Sequence, residues 1–192
     1  MNKFLLLFTI SLISTGCTTI GVGTAELSGI AVLNDRRNAQ TMFVDEKIED
    51  EAHISLNLNS AIEGSSHFNV TSYNRIALIT GETPTQDLST QIATIVQNIQ
   101  EVRTVKNHLQ LASPTSFIER TNDMLITSRV KTAFTTDGRL PGFDSTRIKV
   151  ITENGRVFLM GLVYPREGEV AADVARQQLG VREIIKVFEY LN

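Results

Sequence analysis

A single cysteine in 192 residues leaves the chain without an internal disulfide framework. One cysteine and three dispersed histidines supply no structural zinc cage, so neither a metal nor any other cofactor is expected. Basic excess is missing too: the formal net charge is -3, which argues against a nucleic-acid partner held by counterion release. Aromatics are scarce, at 6%, and the core must be mainly aliphatic. The apolar stretch at residues 4–13 is too short to cross a bilayer as a helix. What is present, 42% apolar and 20% charged residues, suits a globular body with a packed core, as one moderate domain or two small ones.

The stretch at 4–13 follows Lys3 and precedes Ser14, Thr15 and Gly16, an arrangement that reads as a cleaved secretory signal over residues 1–16. Its end resembles the lipobox of bacterial lipoproteins, in which a small residue directly before a cysteine lets the peptidase cut, so that the cysteine becomes the acylated first residue. Thr15 and Gly16 fit that pattern, and Ser14 stands where it usually has Leu. On this resemblance Cys17 is the lipidation site, and Thr18 after it, rather than Asp, implies sorting to the periplasmic face of the outer membrane. Residues 17–44, rich in Thr, Gly, Ala and Ser without sustained period, read as a lipidated tether with a reach of roughly 30 Å.

Internal self-similarity is the most informative feature beyond the tether. Residues 69–81 lie over 149–161 at an offset of 80, with Val70 on Val150, Asn74 on Asn154 and Gly81 on Gly161. Residues 102–109 lie over 181–188 at an offset of 79. Upstream, Ile54, Leu58, Ala61 and Ile62 are set against Ile126, Val130, Ala133 and Phe134 at an offset of 72, so eight extra residues are expected within 135–146.

Each copy reads helix, strand, strand, helix, strand. The three- and four-residue spacing of Ile54, Leu58 and Ala61, and of Ile126, Val130 and Ala133, predicts a first helix with one apolar stripe. Asn154-Gly155 between β-rich runs is a strong two-residue hairpin signal because both positions tolerate positive φ, and Asn74-Arg75 is its weaker equivalent. Thr83 is expected to cap the next helix, with Pro84 at its first position and Leu88, Ile92, Ile95 and Ile99 facing inward. Pro165 and Glu167 open the matching helix, and Gly180 ends it. The expected fold class is α+β: two tandem α-β-β-α-β modules, residues 45–112 and 119–192, joined by a linker at 113–118. Each has two helices packed on one face of a small three-stranded mixed sheet.

Such a unit, repeated behind a lipobox, resembles the BON domain, and the chain is similar to dual BON-domain outer-membrane lipoproteins. Residues 152–163, Gly180-Val181 and Ile184, with weaker first-copy equivalents, carry the resemblance, and Asn34-Asp35-Arg36-Arg37 looks like that family's linker. In the first copy Glu101 stands where the family has a glycine before its third strand. The resemblance implies a non-enzymatic envelope protein whose modules bind phospholipid or other envelope components, associated with outer-membrane integrity and the division site.

Charge separates the two copies. Residues 45–112 hold nine acids and four bases and should avoid anionic lipid; residues 119–192 hold ten acids and eleven bases, with Arg129, Lys131, Arg139, Arg147 and Lys149 clustered. The second module is therefore the expected partner of an anionic phospholipid membrane. With Ile126, Val130 and Ala133 against the sheet, a helical step of about 100° puts Leu125 roughly a right angle off that face and Met124 nearly opposite it. Exposed apolar side chains beside Arg129 and Lys131 combine the apolar area and headgroup attraction that an interfacial contact needs. Arg139 adds charge, and Leu140 and Phe143 extend the expected contact surface. The structural alternatives are that Met124 packs on the linker and that Leu140 and Phe143 cap the core.

Catalysis is not indicated. The acidic run Glu46, Glu49, Asp50, Glu51 has no glycine turn of a calcium loop and suits the first turn of a helix. No nucleophile elbow occurs, and Gly21-Val22-Gly23 follows no strand. Two functions fit the residues. One is docking on anionic phospholipid through the second module; the other is a scaffold whose acidic first module or an exposed strand edge binds an envelope assembly or division machine by strand addition, without intrinsic lipid binding.

Overall fold

The computed structural model describes residues 35–139 and 144–192; Cys17, Leu140 and Phe143 lie outside the described residues. Helix α1 (Ala39–Asn57) is opened by Asn38, whose side chain accepts from the Thr41 amide at 2.7 Å. Strands β1 (His67–Tyr73) and β2 (Ile76–Thr83) pair antiparallel through a two-residue turn in which Asn74 and Arg75 have φ of 51° and 64°. Helix α2 (Gln86–Gln97) then returns the chain to β3 (Thr104–Asn107) and β4 (Gln110–Leu111), both parallel to β2. The second module repeats the order with α3 (Phe117–Thr136), a 3-10 turn (Ser145–Arg147), β5 (Lys149–Glu153), β6 (Arg156–Val163), α4 (Pro165–Arg176) and β7 (Glu183–Tyr190). Its turn, Asn154-Gly155, has φ of 50° and 70°, so the two hairpins are equivalent as expected. The fold is α+β, with four helices and two small mixed sheets among the described residues.

Alternation along the strands sorts side chains onto two faces. In β2, Ala77 and Ile79 meet Ile48, Ala52 and Leu56 of α1 and Ile92 and Val96 of α2. In β6, Val157 and Leu159 meet Ile126, Val130 and Phe134 of α3 and Ala171 and Ala175 of α4. The remaining inward residues form a third core: Tyr73, Ile76 and Leu78 of the first sheet pack on Ile151, Phe158 and Met160 of the second. The sheets therefore stack face to face with helices on both outer surfaces. Phe158, fully buried between them, contributes roughly 1.5–3 kcal/mol of burial on its own.

Three expectations need correction. The apolar stripe of α1 is not built on Ile54 and Leu58, which are 60% and 80% exposed, but on Ile48, Ala52 and Leu56, with Asp45 buried beside them. Asp45 is inside because its carboxylate accepts from the amides of Asn74 and Arg75 at 2.8 and 2.7 Å and from Ser72 Oγ at 2.7 Å. Asp123 does the same in α3, accepting from the amides of Asn154 and Gly155 at 2.8 Å each. Aligning these two carboxylates sets the helices at an offset of 78, which leaves two extra residues before β5 instead of eight.

The tether is expected to run to residue 44, but residues 35–44 are structured, with α1 beginning at Ala39. Arg36 forks onto Glu167 of the second module at 2.6 and 2.7 Å, while Arg37 bonds Asp45 of the first at 2.7 Å and lies 3.8 Å over the Tyr73 ring. Arg36 also holds the Glu167 carboxyl below its ordinary range, chiefly through this hydrogen bond. The third correction concerns α2, which is capped by Thr85 rather than Thr83. Thr83 precedes a proline, which disfavours helical backbone, and it ends β2 opposite Leu111.

Candidate functional site: the outer face of the second module

Helix α3 begins with a reciprocal cap: Ser116 Oγ accepts from the Glu119 amide, and Glu119 Oε2 accepts from the Ser116 amide at 2.7 Å. The backbone bond to Ser116 holds the Glu119 carboxyl below its usual range. Its inner side is fixed by Asp123, Ile126, Val130 and Phe134, so the opposite side is committed to solvent.

That outer side carries the residues expected to be exposed. Leu125 is 49% and Met124 73% exposed, and Arg129, Lys131 and Arg139 are exposed as well. They do not form one patch. Leu125 and Arg129 border a cleft of about 320 Å³ whose far wall is Asn154, Gly155, Gly180 and Arg182. Met124 and Lys131 lie on the other flank of the helix, along a wider groove of about 750 Å³ that also touches His67 and Phe68 of the first module.

The bases differ in availability. Arg129 donates to the Leu179 carbonyl at 3.2 Å, and Arg139 is paired with Asp137 at 2.9 Å, which raises the guanidinium pKa and draws the Asp137 carboxyl down. Lys131 has no ion pair among the described residues. Two members of the sequence cluster face elsewhere: Lys149 bonds Glu49 of the first module at 2.6 Å, and Arg147 lies 3.9 Å from Glu167.

Sequence reasoning missed part of the apolar surface. Phe117 and Ile118, assigned to the linker, are the first two residues of α3 and are 81% and 73% exposed; Leu179, beside the cleft, is exposed too. Phe117, Thr121 and Leu125 follow at four-residue spacing, and Ile118 lies seven before Leu125, so the N-terminal half of α3 presents one apolar ridge. The signal was available: Ser116 and Glu119 form a capping pair that starts the helix at Phe117.

At the same positions the first module is acidic. Glu46, Lys47, Asp50, Glu51 and His53 of α1 correspond to Met124, Leu125, Ser128, Arg129 and Lys131 of α3. Lys47 and Glu51 pair with each other at 3.4 Å, a bond that Leu125 and Arg129 cannot make. No helix among the described residues is long and apolar enough to cross a membrane.

Residues 45–113 and 122–192 each match the BON domain. The chain is 30% identical over 192 residues to the outer membrane lipoprotein DolP of Haemophilus influenzae, covering 100% of this chain and 97% of that one. It is also 30% identical over 158 residues to a 21 kDa hemolysin of Actinobacillus pleuropneumoniae, covering 82% and 80%. Among solved structures, the type III secretion protein CdsD of Chlamydia trachomatis aligns over 77% of this chain and 63% of its own length at a TM-score of 0.30 and 15% identity.

Proposed function

The chain belongs to the BON-domain family, and on that premise we propose that it is an outer-membrane lipoprotein, anchored through Cys17, whose second module docks on anionic phospholipid. It acts by binding rather than catalysis, and it supports outer-membrane integrity, including at the division site. The observation that carries the lipid reading is the apolar ridge of Phe117, Ile118 and Leu125, flanked by Arg129 and by Lys131, which has no ion pair among the described residues. Inserting the ridge among acyl chains buries apolar area while the bases sit at headgroup level, each contributing about 1 kcal/mol near a charged surface. Arg139 contributes less, because Asp137 already offsets its charge.

The test is flotation with phosphatidylglycerol vesicles of the Cys17→Ser chain, which lacks the acyl anchor. Both modules must be retained, since isolating the second exposes Ile151, Phe158 and Met160. Leu125→Glu is expected to abolish flotation with the melting temperature unchanged, and Ile126→Glu to unfold the module by burying an unpaired charge. A folded Leu125→Glu chain that floats like the parent overturns the lipid reading. A parent chain that is folded and ignores vesicles favours the scaffold instead.

A further inference from the structure

Where the two sheets stack, one end of the shared core is polar. His67 and Glu82 are cross-strand partners in the β1–β2 register, and the alternation that points Ile76 and Leu78 at the second sheet points both of them there too. Glu153, at the end of β5, arrives from the facing sheet on the same side as Ile151. The side chains of all three offer ligand atoms within 4.8 Å of one another. Glu82 is 1% exposed; its Oε2 accepts from the Thr115 amide and Thr115 Oγ1 at 3.1 Å each, while its Oε1 is buried with no hydrogen-bond partner among the described residues.

We propose that His67, Glu82 and Glu153 form a binding site for a divalent transition-metal ion, zinc by preference, that clasps the two modules together. His67 Nε2 lies 3.5 Å from Glu153 Oε1, close to the roughly 3.4 Å that separates two ligands of a tetrahedral zinc ion at bond lengths near 2.1 Å. One imidazole with two carboxylates suits zinc, whereas calcium and magnesium ask for six or more oxygens. A proton on His67 satisfies Glu153 and leaves Glu82 Oε1 without a donor; a cation uses all three lone pairs. Local charge agrees, because two carboxylates converge on His67, and the guanidinium of Arg120, which also acts on that imidazole, is engaged with the Thr115 carbonyl at 3.0 Å. The groove beside His67 and Glu153 gives an ion a way in and leaves room for a water at the fourth position. Thr115, in the segment joining the modules, orients the Glu82 carboxylate, so the metal would lock that segment along with both sheets. The site reverses the expectation drawn from dispersed histidines, because dispersal along the chain says nothing about how two sheets face each other. It is independent of lipid binding.

The experiment is a zinc titration of the full chain in neutral detergent on a Cys17→Ser background, so that no thiol competes. One equivalent is expected to bind and to raise the melting temperature, and cobalt in its place should give a visible absorption band. His67→Gln and Glu153→Gln should each weaken binding at least about ten-fold and remove the band, while His53→Gln and His108→Gln bind like the parent. Glu82→Gln is nearly isosteric; it should keep the parent's circular dichroism and metal-free melting temperature yet lose the zinc-dependent rise. No binding at micromolar zinc, or binding that folded His67→Gln and Glu82→Gln chains retain, overturns the proposal.

Discussion

The two modules share a backbone and differ in what they do with it. The same left-handed positions recur: Arg75 and Glu101 in the first module have φ of 64° and 75°, and Gly155 and Gly180 in the second have 70° and 96°. Where the second module uses glycine, the first uses a pair of charged residues that bond each other at 3.1 Å. The second module thereby keeps a cleft beside Leu125 with two glycines in its wall; the first module has an Arg–Glu pair at the matching positions. The outer helix surface diverges in the same direction, acidic in α1 and apolar to basic in α3. Backbone strain is retained because the turn needs it, and only the solvent side is free to specialise.

The most damaging way to probe this shared frame is to remove the carboxylates that hold the turns. Asp45→Ala is expected to cost about 3–5 kcal/mol, since it leaves two turn amides and Ser72 Oγ without their acceptor, while Arg37 loses one bond and keeps its pairing with Asp35 at 2.7 Å. Asp123→Ala, with its two amide bonds, should cost about 2–3 kcal/mol. Urea unfolding of both variants checks the order; equal costs would mean that neither Ser72 nor Arg37 adds to the hold on the first turn.

Giving α3 the residues of α1 tests the divergence itself. Ser128→Asp with Arg129→Glu changes the charge by three units, which at about 1 kcal/mol each weakens vesicle binding about a hundred-fold at low salt, with a smaller effect as salt rises. Vesicle flotation across a salt series measures it, and a loss that ignores salt contradicts the charge argument.

The turn positions should respond in opposite directions. A Cβ at Gly180 meets the Ile126 side chain at 2.9 Å on top of the positive φ, so Gly180→Ala should cost about 2 kcal/mol. Glu101→Gly relieves the same backbone cost and gives up only a surface pair with Arg75, for a net gain of about 0.5–1 kcal/mol in thermal unfolding.

The smallest effect is at the seam between modules. His108 stacks edge-on against Phe158, and burial there, reinforced by Arg156, lowers its pKa. The folded state resists protonating it, so its contribution is complete above the ordinary histidine value of about 6.5 and is lost as pH falls below it. The melting temperature of the parent should drop relative to His108→Gln between neutral and mildly acidic pH; a parallel course for the two chains removes His108 as the cause.

Legibility in the sequence followed locality. The hairpins were readable because Asn followed by Arg or Gly meets the positive-φ demand of a two-residue turn, and α4 was readable because Pro165 and Glu167 satisfy a helix start from within one turn. The stripe of α1 was misread because hydropathy counts Asp45 as a solvent residue, and only the amides of Asn74 and Arg75, about thirty residues downstream, make it a buried one. Leu125 was placed outside correctly because three neighbouring core positions of α3 sit at helical spacing. Phe117 and Ile118 were lost with the boundary of that helix.

By itself the sequence determined the repeat, the order of elements in each copy, the turns and the outward direction of Leu125 and Met124. These depend on φ preferences, caps and helical period, which act over a few residues. The tertiary structure alone decided that β2 and β6 are buried on both faces, that Lys149 turns to Glu49 of the first module and Arg147 toward Glu167, and that His67, Glu82 and Glu153 meet. Those outcomes come from stacking one sheet on the other, where residues far apart in the chain exchange water for each other and the balance of desolvation against pairing is set by partners that no local pattern contains.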